Sequence, residues 1–305
     1  MCNFTYLHFR DMGVYSYHDK GTDNPNKPER TRTMAKDIKE ITEQLEKGVK
    51  EVFESEKYKA YLEFMGKFYD YSFNNIMLIL MQNPNASLVA GYKAWQTKFK
   101  RQVKKGEKGI TIIAPCPHKY KKEVEDDNGN LVMAEFNYTT YRACTVFDIS
   151  QTDGEAVPTL TSELTGTVID FTETVEKLQK LSPVPVEFEE IEGQKYGYFS
   201  PANQKIAVKA GISEVHTVKT LVHEIAHAKL HDKGGEEEEA TRRTQEVQAE
   251  SVAYTVCHWL GLDTSDYSFS YVAGWSEGKE VKELNASMEV IRKTAKEIID
   301  GLRAA

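Results

Sequence analysis

No stretch of the 305-residue chain approaches the roughly eighteen consecutive apolar residues of a membrane span. The N-terminus has no basic segment leading into an apolar one and does not read as a secretory signal. Both features point to a cytoplasmic protein without a membrane partner. Cysteine is scarce: Cys2, Cys116, Cys144 and Cys257 are dispersed without paired spacing. That excludes a disulfide framework or a cysteine-built metal module and fits reduced thiols. No P-loop, dinucleotide glycine motif or internal repeat is present.

With 40% hydrophobic and 28% charged residues, the chain can bury sizeable cores, and its length predicts two domains. Residues 1–30 show no sustained period and read as a poorly ordered or strapped-on arm. From Thr33 to Phe53, Ile38, Ile41, Leu45, Val49 and Val52 recur at helical spacing, and a second helix is predicted from Lys57 through Tyr69. Ile110 to Ile113 and Tyr138 to Phe147 read as strands, with a turn between them at Glu125 to Asn130. The Ser- and Thr-rich stretch around Pro158 is the best linker. We therefore divide the chain into residues 31–155, a linker over 156–168, and residues 169–305. In the second part, Val186 to Ile191, Tyr196 to Phe199 and Ile206 to Val208 are short strand-like runs. Val281, Leu284, Met288, Ile291, Ala295 and Ile298 form a helical stripe explained by core packing. The fold class is α+β.

The most informative segment is His223-Glu224-Ile225-Ala226-His227. Two histidines four apart share one helix face, so both imidazoles can reach one metal ion. Glu224 lies one position along, where its carboxylate can serve as a general base without being a ligand, as in zinc hydrolases. A catalytic zinc usually takes a third protein ligand, and Glu246 is the candidate. It lies on a second predicted helix that ends before Gly261, a residue suited to a left-handed cap. Glu250 shares its face at i+4 and can accept the remaining N–H of a ligand histidine, fixing its orientation. Ala249 and Ala253 on that side permit close helix packing. His231 is a rival ligand, but three histidines at i, i+4 and i+8 spread over two turns of a straight helix; contact with the acidic loop that follows is its simpler role. His216 and His258, outside any motif, read as packing or surface histidines. The run from Leu230 through Glu236 to Glu239 reads as a mobile, solvated acidic loop.

The HExxH helix with a downstream ExxxE helix resembles a compact gluzincin, as in the ImmA/IrrE-type metallopeptidases, and Tyr196 to Lys209 resembles the hairpin preceding the zinc helix in that group. The resemblance implies a zincin-like C-terminal domain with a small antiparallel sheet and Zn2+ held by His223, His227 and Glu246. Water activated there would hydrolyse a peptide bond, with Glu224 as base. A protein substrate is then a possible partner, and a sheet edge could hold an extended peptide. Tyr254, Tyr267, Tyr271 and His258 all stand open as oxyanion donors.

Charge is segregated. Between residues 93 and 122 ten lysines and arginines face one carboxylate, Glu107, a local net of +9 in a chain of net −8, so the remainder carries −17. Aromatic residues precede this patch and interleave with it: Tyr69, Tyr71, Phe73, Tyr92, Trp95, Phe99 and Tyr120. Cations following phosphates and rings stacking on bases hold single-stranded nucleic acid, although a solvated basic face has the same composition. Tyr71-Ser-Phe-Asn-Asn75, Gln82-Asn-Pro-Asn-Ala with Gly91-Tyr-Lys-Ala-Trp95, Val103-Lys-Lys-Gly-Glu-Lys-Gly-Ile110 and Val146-Phe-Asp-Ile-Ser-Gln-Thr-Asp-Gly154 resemble the N-terminal domain of ArdC-type antirestriction proteins. That resemblance implies a helix-plus-sheet domain that binds single-stranded DNA, in a protein of mobile elements that protects incoming DNA. The candidate contacts are Tyr71, Asn75, Trp95, Lys100, Arg101, Lys104, Lys105 and Lys108. A protein of another class remains open: a DNA-binding protector in which zinc is structural and no peptide is cut.

Overall fold

The computed structural model of the protein describes residues 29–125, 131–157, 170–262, 267 and 269–304. The arm expected over 1–30 and the linker expected over 156–168 fall almost wholly outside them.

Three helices open the fold: α1 (Glu29–Val52), α2 (Ser55–Phe68) and α3 (Phe73–Gln82). Leu45, Val49 and Val52 of α1 recur at helical spacing and are buried. Ser72 caps α3, its Oγ accepting from the Asn75 N–H at 3.4 Å. There follow β1 (Val89–Gly91), α4 (Tyr92–Thr97), β2 (Arg101–Val103), β3 (Ile110–Glu125), β4 (Leu131–Asp148), a single 3-10 turn, and β5 (Thr152–Gly154). β1, β4 and β3 form an antiparallel sheet in that order, and β2 pairs with β5. β3 and β4 pair in unbroken register from Ile110↔Val146 to Glu125↔Leu131. Among the described residues only the base of this ribbon, at Ile110, Ile112, Val146 and Asp148, is buried. The rest stands out from the body, and both strands run beyond the short segments read from the sequence.

The second half comprises α5 (Phe171–Leu181), β6 (Val186–Glu189), β7 (Gly197–Ser200), β8 (Lys205–Lys209), α6 (Glu214–Leu230), α7 (Arg242–Trp259), α8 (Val272–Ser276) and α9 (Val281–Ala304). The expected hairpin is β7–β8. β6 joins β8 in parallel, so this sheet is mixed, in the order β6-β8-β7. α6 packs on β7 and β8, and α7 packs on α6. Gly261 ends α7 as its sequence position predicts, with φ 73°: the Leu262 N–H reaches the Cys257 carbonyl and the Gly261 N–H the His258 carbonyl, both at 3.0 Å.

A single cluster of buried side chains runs from Leu45 to Leu302, so the two halves share a core. At the seam the Tyr58 and Ser251 hydroxyls are 2.8 Å apart, and the Tyr254 hydroxyl donates to Glu63 at 2.6 Å. From α9, Glu289 accepts the Phe73 N–H at 3.0 Å, a carboxylate at the N-terminus of α3, and Arg292 donates to the Tyr69 carbonyl at 2.7 Å.

Several carboxylates of the acidic loop have partners. Glu236 pairs with Lys293 at 2.7 Å, Glu238 accepts the Gly234 N–H at 2.7 Å, and Glu237 accepts from the Gln248 amide at 3.2 Å. Of these partners Lys293 lies 57 residues away, beyond the reach of local composition.

Candidate metal centre

Ser213 caps α6, and Val218, Leu221, Val222, Ile225 and Ala226 bury its apolar face. The opposite pitch of the same helix turns His223 and His227 toward α7. Ala249 and Ala253, fully buried on α7, allow the two helices to approach. The structure thereby brings His223, His227 and Glu246 together, with one ligand atom from each within 4.8 Å of the others. The two Nε2 atoms are 3.0 Å apart, and Glu246 Oε2 lies 3.6 Å from His223 Nε2 and 3.8 Å from His227 Nε2. A tetrahedral ion with bonds of about 2.0–2.1 Å needs ligand atoms roughly 3.3–3.4 Å apart, so this set fits a metal ion with small adjustments.

The surroundings fix the ligands. Glu250 Oε2 lies 3.2 Å from His223 Nδ1, leaving Nε2 for the site. His231 is not part of the cluster: its Nδ1 lies 2.9 Å from His227 Nδ1, and its Nε2 contacts Gln248 Oε1 at 2.9 Å. Burial disfavours a charged His223, but the carboxylates of Glu246 and Glu250 outweigh that and raise its pKa to about 10. Glu246 is held well below the usual carboxylate range by His223 and His227. This charge balance favours a cation, whether proton or metal.

Glu224 is buried beside the ligands and accepts the Phe199 N–H from β7. Burial raises its pKa, against the opposing pull of His223, His227 and that N–H. Gly197 makes this approach of β7 to α6 possible. A Cβ there would stand 2.5 Å from Thr220 Cγ2 and 2.8 Å from the Ala207 carbonyl oxygen.

Above the ligands opens a cleft of about 590 Å³, bordered by β7, Lys219, Thr220, Arg242 and Gln245. The four oxyanion candidates are unequally placed. Tyr254 is engaged with Glu63, Tyr267 donates to Cys257 at 3.8 Å, and His258 stacks on Tyr254. Tyr271 senses the charges of Glu250 and Glu246, which, after burial, raise its pKa. Lys219 and Arg242 line the cleft and were not singled out in the sequence, although Lys219 sits one helical turn before His223. His216 bonds the capping Ser213 through Nδ1 at 2.9 Å.

In the first half, several candidate nucleic-acid contacts are committed to the fold. Trp95 is fully buried and donates to the Phe147 carbonyl at 2.8 Å, so its ring has no open face for a base. Tyr71 donates to the Val89 carbonyl at 3.1 Å. Asn75 bonds both backbone groups of Ile113, pinning α3 to β3. Arg101 donates to Thr152 Oγ1 at 2.7 Å, to the Thr152 carbonyl at 2.8 Å and to the Gly154 and Glu155 carbonyls, fastening β5. Lys104 donates to the Ser150 carbonyl at 3.0 Å and lies 3.8 Å from Asp153, while Lys100 stands 4.0 Å from Glu155. Lys105 and Lys108 are exposed on the turn between β2 and β3.

Comparison with known proteins also treats the two parts of the chain separately. Residues 29–147 match the family model for the N-terminal domain of anti-restriction factor ArdC, and residues 182–296 match that for the IrrE N-terminal-like domain (peptidase M78). The chain thus pairs an ArdC N-terminal domain with an IrrE-like domain. It is 28% identical over 313 residues to an uncharacterized protein of Bacillus anthracis, pXO2-81, in an alignment covering 90% of the chain. The same alignment covers 52% of that relative, so the chain spans about half its length. Two crystal structures of the antirestriction ArdC protein from the R388 plasmid are also similar. The metal-free form has a TM-score of 0.44 and 18% identity, covering 77% of this chain and 86% of that one. The Mn(II)-bound form has 0.43 and 19%, covering 76% and 85%.

The Val146–Gly154 run, which extends past the end of the matched residues, has a structural explanation. Buried Asp148 accepts the Ser87, Leu88 and Ser150 N–H groups at 2.8, 3.1 and 2.9 Å, and Gln151 Oε1 accepts the Asp148 N–H at 2.9 Å. Among the described residues no helix is long and apolar enough to cross a membrane.

Proposed function

We propose that the protein is a zinc-dependent metallopeptidase joined to a single-stranded-DNA-binding domain, acting for a mobile element to protect incoming DNA from restriction. The observation that carries the catalytic part is Glu224, buried beside His223, His227 and Glu246 and bonded to the strand that borders the cleft. Two imidazoles and one carboxylate are a donor set suited to zinc. A zinc ion held there would polarise the scissile carbonyl and acidify the attacking water. Glu224 takes a proton from that water as its oxygen adds to the peptide carbon, then passes it to the departing amine nitrogen. β7 is an edge strand of its sheet, so an extended peptide can pair along it. Lys219 and Arg242 are cations at the border of the cleft, Lys219 Nζ lying 3.6 Å over the Tyr267 ring.

The test is Glu224→Gln in the full chain, followed by metal content and by loss of intact proteins from a host extract. The variant retains its metal, and a protein cleaved by the wild type stays intact. Loss of metal from the variant, or no cleavage by the wild type, contradicts the peptidase assignment.

One observation favours a second reading, in which the metal is structural and the protein only binds DNA. The helix bearing Glu246 and Glu250 also meets α2 across the shared core, through Ser251 with Tyr58 and Tyr254 with Glu63. Under that reading Glu224→Ala leaves DNA protection unchanged.

A further inference from the structure

We infer that one face of the β3–β4 ribbon is a stacking platform for single-stranded nucleic acid. This rests on the proposed single-strand binding and assigns it a site. The pairing register puts His118 opposite Tyr138 and Tyr120 opposite Phe136 on one face. Each cross-strand pair is stacked, with ring centroids 4.9 and 5.4 Å apart, and Tyr120 meets Tyr138 diagonally at 5.8 Å. These are not core residues: Tyr120 is 47%, Phe136 37% and Tyr138 49% exposed. An uncovered ladder of four rings costs solvation and has no role in the packing of the body, which ends at Ile110, Ile112 and Val146.

The two-residue period of the strands sorts the carboxylates on the exposed part of the described ribbon to one face, while its cations, Lys119 and Lys121 there and Lys122 and Arg142 opposite, stand on both. Lys122 and Arg142 share the aromatic face, on either side of the rings. Glu123 and Glu135 point to the other face, where Glu135 pairs with Lys119 at 2.8 Å. The described aromatic face therefore presents rings and cations without a carboxylate, the combination that holds bases by stacking and phosphates by charge. Successive ring pairs are two residues, about 6.7 Å, apart along the strands, so neighbouring unpaired bases can meet neighbouring pairs. A protein partner would also find apolar surface here, but the cations and the absence of acids favour a polyanion.

The test uses the full chain and a fluorescent oligothymidine, with binding followed by anisotropy across a salt series. Tyr120→Ala and Tyr138→Ala each weaken binding, by roughly 5- to 150-fold as expected for loss of one stacked base. Their salt slope is unchanged, because no phosphate contact is removed. Tyr138→Phe, which keeps the ring, binds as the wild type does. Photocrosslinking with 5-iododeoxyuridine maps to residues 116–124 or 132–142. If the wild type binds but both alanine variants bind equally well and crosslinks map elsewhere, the platform assignment is overturned while single-strand binding stands. If the wild type binds no oligothymidine at all, the proposed DNA-binding function falls and the platform with it.

Discussion

His231 Nδ1 lies 2.9 Å from His227 Nδ1, and this contact sets a direction for a chain of hydrogen bonds. If His227 presents Nε2 to a metal, its Nδ1–H donates to His231. The His231 Nε2–H then donates to Gln248 Oε1 at 2.9 Å, and the Gln248 amide donates to Glu237 and to Ser287 Oγ, both at 3.2 Å. Burial keeps His231 neutral, lowering its pKa to about 4, so it can both accept and donate.

Replacing His231 by Ala frees the His227 ring. We expect metal affinity to fall by roughly 10- to 100-fold, the usual effect of losing a bond that orients a ligand. Competition with a chromogenic chelator measures this directly. An unchanged affinity would show that His231 does not orient the ligand.

Gly197→Val places carbon against the Ala207 carbonyl and Thr220. Because one neighbour is backbone of the central strand, it cannot simply rotate away. The expected cost is about 1–3 kcal/mol, read as a lower denaturation midpoint at constant slope.

Asp148 gives the end of β4 a pH-dependent anchor. Burial raises its pKa, but the bonds from Ser150, Ser87 and Leu88 prevail and its net shift is downward. The unfolded carboxyl titrates near 3.9, so the stabilisation is complete above that pH and is lost as pH falls through the lower folded value. Asp148→Asn should be less stable at neutral pH by about 1–3 kcal/mol. Its urea midpoint should converge with the wild-type value in acid.

Trp95 separates packing from recognition. Trp95→Ala leaves a cavity costing about 3–5 kcal/mol. Trp95→Phe keeps most of the volume, and where circular dichroism shows it folded it should bind oligothymidine as the wild type does. Selective loss of binding in the folded Phe variant would return Trp95 to the list of contacts.

Chelation tests the metal's contribution to stability. A metal at 100 times its dissociation constant stabilises the native state by about 2.7 kcal/mol. Added chelator should therefore lower the thermal midpoint, and restoring zinc should recover it. A midpoint indifferent to both would argue against a metal at His223, His227 and Glu246.

Local signals made the C-terminal site legible. A four-residue histidine spacing and a four-residue glutamate spacing each define a helix face, and Gly261 marks where α7 stops. What joins those faces is tertiary: nothing in the neighbours of Gln248 announces its bond to His231. The aromatic rings were harder to sort. Trp95 and Tyr120 stand in equally basic surroundings, yet one lies under Phe147 and the other on a ribbon extending past the core. Composition cannot distinguish them, because their exposure depends on how far β3 and β4 outrun the helices beneath. The partner of Glu236 is illegible for a related reason, Lys293 lying 57 residues away.

The bond from the Phe73 N–H to Glu289 spans 216 residues. At roughly 5–20 residues per second of synthesis, about 10–40 s separate the emergence of these two partners. Through that interval the start of α3 lacks its carboxylate, and the Tyr69 carbonyl lacks Arg292. Until α9 has been made, the first turn of α3 and the Tyr69 carbonyl have only water or other segments to bond.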